Sequence, residues 1–106
     1  MNAVQLEVTS RPRRDGRAVV QVQARGELDS YNAAQLQRVL TTAIAQNPAA
    51  IDLDLADVTF FDCAALRVLE HADAITAGRL RLKNPSQPVR LVLTLLGWQQ
   101  RFRTLG

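Results

Sequence analysis

The chain has 106 residues, of which 47% are hydrophobic and 22% charged, the size and make-up of one folded domain rather than a disordered segment. Its 13 basic and 10 acidic side chains leave a formal charge of only +3, too small an excess to point to nucleic acid by itself. A single cysteine, Cys63, excludes an internal disulfide, and no apolar run approaches the roughly 20 residues that cross a bilayer as a helix.

Val4, Leu6 and Val8 alternate with polar residues, so a half-buried strand is predicted at the start. Pro12 and Asp15-Gly16 mark a turn, and Ala18, Val19, Val20, Val22 and Ala24 form a second β-rich run. The two runs read as a hairpin, which Gly26 is expected to end. Asn32 with Gln35 three residues later has the spacing of a capping box. Leu36, Val39, Leu40, Ala43 and Ile44 then fall on one helix face, and Asn47-Pro48 ends that helix.

Ile51, Leu53 and Leu55 alternate with Asp52 and Asp54 as a third strand, with Val58, Phe60 and Phe61 placed just beyond it. Asp62 is set to cap a second helix, whose buried side is read as Ala65, Leu66, Val68, Leu69, Ala72 and Ile75, with Gly78 as its stop. Leu80 and Leu82 make a short strand with a basic outer face of Arg79, Arg81 and Lys83. Ser86 is a candidate cap and Pro88 a first-turn proline for a third helix, with Val89, Val92, Leu93 and Leu96 on one face. The segment after Trp98 is too short to assign, although Trp98 and Phe102 are expected to pack in the core.

Strands that alternate with helices after an opening hairpin define an α/β fold. The expectation is a mixed sheet of four to five strands, antiparallel at the hairpin and parallel through the later βαβα units, packed against amphipathic helices. Residues 1–106 are read as one domain without repeats or linker. The opening residues lack the charged-then-apolar order of a signal peptide, so a cytoplasmic protein with no direct membrane insertion is expected.

Four stretches in register resemble the STAS family, the domain of bacterial anti-sigma factor antagonists. Gly26-Glu27-Leu28-Asp29 is similar to the signature that opens the family's first helical unit. Residues 51–62 look like its strand and loop leading into the regulatory helix, 78–89 like its later strand and loop, and Leu93 to Gly97 with Phe102 like its closing helix and tail. The resemblance implies the same mixed sheet and a non-catalytic role in transcription regulation. It implies partner switching with an anti-sigma factor that is also a kinase, which phosphorylates a hydroxyl residue directly after the aspartate at 62. It also implies a partner-binding surface built from Asp29, Ser30, Thr59, Asp62, Cys63, Ala64, Ala65 and Arg67.

At the decisive place the chain departs from the family. Asp62-Cys63-Ala64-Ala65 stands where the family tends to have Asp-Ser-Ser-Gly or Asp-Ser-Thr-Gly, so ordinary serine phosphorylation is chemically excluded there. Cys63 carries three readings. The sequence favours a small, semi-buried apolar residue in the serine site. A redox-responsive thiol is the second reading, with the charge of Asp62 working against it and no second cysteine to pair with. The third, a catalytic nucleophile, fails because the only histidine, His71, lies roughly 12 Å further along the same helix.

No metal site is expected, because the cysteine and the histidine stand alone. No phosphate-binding glycine motif is present, and no cofactor is expected. Asp52 and Asp54 share a strand face, which is a weak sign of acid–base chemistry. Charge is uneven: every charged side chain after Gly78 is basic, and Arg11, Arg13, Arg14 and Arg17 form a second cluster. The basic excess is mild and these arginines read as a solvated surface, so nucleic acid is not the expected partner. A protein partner is expected instead, either an anti-sigma factor kinase or, as the alternative within the fold, the ATPase of a lipid-trafficking ABC transporter. The oligomeric state is left open.

Overall fold

The computed structural model describes residues 3–105. In chain order the elements are β1 (Val4–Pro12), β2 (Ala18–Leu28), α1 (Ala33–Ala45), β3 (Ala50–Phe61), α2 (Cys63–Ile75), β4 (Leu80–Lys83), α3 (Gln87–Leu95) and β5 (Arg103–Leu105). The five strands lie in sequence order in a single sheet. β1 pairs with β2 antiparallel, and each later neighbour pairs parallel.

This is the mixed sheet the alternation of elements predicted, with β5 as the strand that periodicity could not resolve. From β2 onward every step is a parallel strand reached through a helix, and the strands advance in one direction. Right-handed crossovers then send each helix to the same face. The core follows that rule. Val20, Val22 and Ala24 of β2, Ile51, Leu53 and Leu55 of β3, and Leu80 and Leu82 of β4 pack with Leu36, Leu40 and Ala43 of α1, Leu66 and Leu69 of α2, and Val89 and Leu93 of α3. The other face is polar, with Glu7, Thr9, Gln21, Gln23, Asp52, Asp54 and Lys83 around a shallow cleft.

The predicted strand ends are corrected at both β2 and β3. Gly26 does not end its strand. β2 runs on to Leu28 through two irregularities in its pairing with β3. Between Gln23 and Arg25 the first strand advances two residues while β3 advances three, from Asp54 to Asp57; the same extra residue recurs between Val58 and Phe60. Each bulge reverses which residues face the core. Burial in β3 therefore passes from Leu55 to Val58 and then to Phe61, out of step with a period of two, and Val58, Phe60 and Phe61 belong to the strand rather than following it. Gly26 takes φ +102°, and a Cβ there would stand 2.6 Å from the carbonyl oxygen of Ala3.

Other local expectations also change. Val8 is 51% exposed, because β1 is the outermost strand and α1 leaves its edge uncovered. Ile75, in the last turn of α2, is 52% exposed where a buried residue was expected. Leu96 caps α3 and is exposed, whereas Val89 and Leu93 carry that helix's contact with the core. Phe102 is buried as expected and lies 5.4 Å from the Trp98 ring between centroids, with the Arg101 guanidinium 4.2 Å from the centre of Trp98.

Candidate functional site

The C-terminal ends of β2 and β3 meet the N-terminal ends of α1 and α2, the end of a parallel sheet where loops are free to carry a site. Asp62 organises this corner. Its backbone is extended as an N-cap requires, and Oδ1 accepts from the Ala65 amide at 3.1 Å. Oδ2 accepts from the amide of Ser30 in the β2–α1 loop at 3.2 Å. The predicted cap is present, and the same carboxylate also ties the two loops together.

The β2–α1 loop is held by its own side chains. Asp29 is buried, and its Oδ1 accepts from the Tyr31 amide at 2.9 Å. Asn32 stands at the N-cap of α1 without a side-chain cap bond, so the predicted capping box with Gln35 does not form. Its Oδ1 accepts instead from the Asp29 amide at 2.9 Å, and its Nδ2 donates to the Glu27 carbonyl at 2.6 Å. Two buried polar side chains therefore close the loop back on the end of β2, which leaves Ser30 and Tyr31 projecting to solvent.

The residues expected at the partner surface divide by burial. Ser30, Thr59, Cys63 and Arg67 are exposed, while Asp62 and Ala64 are half-buried. Asp29 and Ala65 are buried. Cys63 opens α2 and is exposed, in contrast to the semi-buried filler its small apolar character favoured. Arg67 follows Cys63 by four residues, on the same face of α2.

Two exposed aromatic residues escaped the sequence reading. Tyr31 is 85% exposed and follows Ser30, and Phe60 is 46% exposed and precedes Asp62 by two residues. Tyr31 was visible in principle, since a loop bounded by Asp29 and Asn32 leaves it no core to enter. Phe60 was not, because only the second bulge in β3 turns it outward.

Among the described residues no group of three or more His, Cys, Asp or Glu side chains is placed to hold a metal ion, and no helix is long and apolar enough to cross a membrane. Asp52 and Asp54 do share the polar sheet face. Asp52, however, is buried in a two-point ion pair with Arg81, at 2.6 Å from Nε and 3.0 Å from Nη2. Asp54 accepts from the Ala56 amide at 3.0 Å. His71 is exposed on α2.

A mixed five-stranded sheet with its helices on one face, and a loop-tied helix N-terminus at the strand ends, is the architecture of the anti-sigma factor antagonists. The family model described as "Mlab, STAS domain" matches residues 11–105, and the chain belongs to this STAS family. Among solved structures it is similar to an anti-sigma factor antagonist from Mycobacterium paratuberculosis, with 22% identity and a TM-score of 0.82 over 97% of this chain and 86% of that one. It is also similar to the anti-sigma factor antagonist SpoIIAA in its unphosphorylated form, with 27% identity and a TM-score of 0.74 over 98% of this chain and 89% of that one. The phosphorylated form of SpoIIAA, described as a Bacillus cell fate determinant, aligns with 26% identity and a TM-score of 0.68 over 98% and 92%. No curated protein sequence matches significantly. Membership in this family and the likeness to these antagonists support a regulatory role exercised through protein–protein contact.

Proposed function

We propose that this chain is a non-catalytic cytoplasmic interaction module that binds an anti-sigma factor kinase through the surface around the start of α2, and that this contact lacks the serine-phosphate off-switch. The observation that carries the reading is Cys63, an exposed thiol at the first position of α2, directly after the capping aspartate. A phosphate at such a position adds about −1.5 to −2 charge. The helix N-terminus tolerates that charge, so the domain keeps its fold while an acidic partner is repelled. With no hydroxyl at Cys63 or Ala64 the charge is never installed, and the bound state persists in ATP. The exposed members Ser30, Tyr31, Thr59, Phe60, Cys63 and Arg67 supply the contact; Asp62 and Asp29 hold the loops that present them. Tyr31 and Phe60 are the natural anchors, because large aromatic side chains bury much apolar area at low entropic cost.

A second reading is a subunit that docks on the ATPase of a lipid-trafficking ABC transporter. The description of the matched family model, Mlab rather than an antagonist, favours it, as does a docking corner without an acceptor hydroxyl. Affinity capture with the wild-type chain and Cys63→Ser, with and without ATP, separates the two. The antagonist reading expects both chains to capture a kinase-like anti-sigma factor, and only Cys63→Ser to be phosphorylated and released. Release of the wild type by ATP, with phosphate on this chain, would overturn the missing switch. Capture of an ABC ATPase in place of a kinase selects the second reading.

A further inference from the structure

We propose that the free edge of β1 binds a second copy of this chain, by antiparallel β1–β1 pairing centred on Thr9. β1 lies at the end of the strand order and is nine residues long, well above the usual five or six. Proteins normally keep edge strands short or covered, because an open ladder of N–H and C=O groups recruits another strand.

The hydrogen-bond phase of this edge is fixed by its inner neighbour. The Glu27 amide donates to the Ala3 carbonyl at 3.0 Å, and the register continues unbroken from Val4 opposite Gly26 to Pro12 opposite Ala18. Antiparallel ladders alternate, so Gln5, Glu7, Thr9 and Arg11 bond inward to β2. The N–H and C=O groups of Leu6, Val8 and Ser10 therefore point outward.

A two-fold axis at Thr9 uses all of them except the Leu6 carbonyl. Val8 and Ser10 of each copy exchange bonds with Ser10 and Val8 of the other, and the Leu6 amide donates to the Pro12 carbonyl. Pro12 has no N–H to offer and ends the ladder. On the polar sheet face, this register sets Glu7 of each copy opposite Arg11 of the other, at the closer-spaced type of antiparallel pair. Both side chains are exposed, and neither belongs to an ion pair among the described residues. On the helix face Val8, half-exposed beside Val39 and Ala43 of α1, meets Val8 and Pro12 of the other copy on the diagonals.

Other centres lose this match. An axis at Val8 sets Glu7 against Thr9. An axis at Ser10 sets Arg11 against Thr9, leaves the Val8 carbonyl opposite Pro12 without a donor, and carries Leu6 past the end of the partner strand.

Sedimentation equilibrium on the full chain, from micromolar to millimolar concentration, tests the proposal. The expected result is a concentration-dependent dimer. Glu7→Arg and Arg11→Glu should each weaken it by roughly tenfold, since each sets like charges opposite one another at two places. The double charge reversal should restore it. Thr9→Cys combined with Cys63→Ser should form a disulfide-linked dimer under mild oxidation. A chain that stays monomeric throughout, a dimer indifferent to both charge reversals, or a dimer that Thr9→Cys does not cross-link would each overturn it.

Discussion

The carboxylate of Asp62 spans the gap to Ser30, accepting that residue's amide at 3.2 Å while its other oxygen caps α2 at the amide of Ala65. One side chain sets both the start of α2 and the position of a loop 32 residues earlier in the chain. Asp62→Ala removes both bonds, and a loss of about 2 kcal/mol is expected from a cap plus a charge-assisted hydrogen bond. Asp62→Asn should lose less, because an amide oxygen still serves Ala65. Urea denaturation gives the ordering, and amide hydrogen exchange at Ser30 should accelerate in both variants. Equal stability of the alanine variant and the wild type would show that the link contributes nothing.

Ser86 offers the opposite outcome at a helix start. It stands at the N-cap of α3, yet its side chain makes no cap bond, and its buried hydroxyl has no partner among the described residues. Serine at an N-cap normally contributes about 1 kcal/mol. A buried hydroxyl without a partner carries a desolvation cost instead. Ser86→Ala should therefore change stability by less than about 0.5 kcal/mol, or raise it. A fall in Tm equivalent to a full cap would refute this placement of the hydroxyl.

Strand and helix order was legible wherever one period held over several residues. Ile51, Leu53 and Leu55 announced β3, and Asp62 announced α2, because a cap directly before an apolar stripe is a local signal. The reading failed after Leu55, where two extra residues in β3 reverse the alternation twice, and nothing in a single strand's own pattern records the partner it must follow. Asn32 failed for a related reason. Its composition permits a cap, but the Asp29 amide and the Glu27 carbonyl compete for the same side chain and win it. The site inherited both limits: Asp62 was readable, the exposure of Cys63 and Phe60 was not. β5 was invisible because three residues cannot show a period; pairing with β4 defines it.

Gly26 is the residue on which the bulged end of β2 depends. Its φ of +102° is open to glycine and strained for other residues, and a Cβ would collide with the Ala3 carbonyl oxygen, a backbone atom that cannot rotate away. Gly26→Ala should cost about 2 kcal/mol or more. The damage should fall on the β1–β2 end and on the loop carrying Ser30 and Tyr31. Thermal denaturation measures the first effect, and backbone amide shifts locate the second. A variant as stable as the wild type, with shifts unchanged beyond its immediate neighbours, would contradict the geometry.

Arg81 and Asp52 form a part-buried pair on the polar sheet face, and the two partners differ in access. The Asp52 side chain is 5% exposed and that of Arg81 is 28% exposed. Removing one member of a buried pair leaves the other charge stranded, at roughly 3 kcal/mol when it cannot reach solvent. Arg81→Ala strands a carboxylate that is only 5% exposed, and it should approach that figure. Asp52→Ala frees a long side chain that can extend toward water, so its loss should be smaller. Their double variant should be less unstable than the sum of the singles, by about 1 kcal/mol or more. Guanidinium denaturation of the four chains closes the cycle. If Asp52→Ala proves the more damaging substitution, the carboxylate is better hydrated than its burial implies, and packing of the Arg81 stem, rather than the charge pair, is what holds β4 against β3.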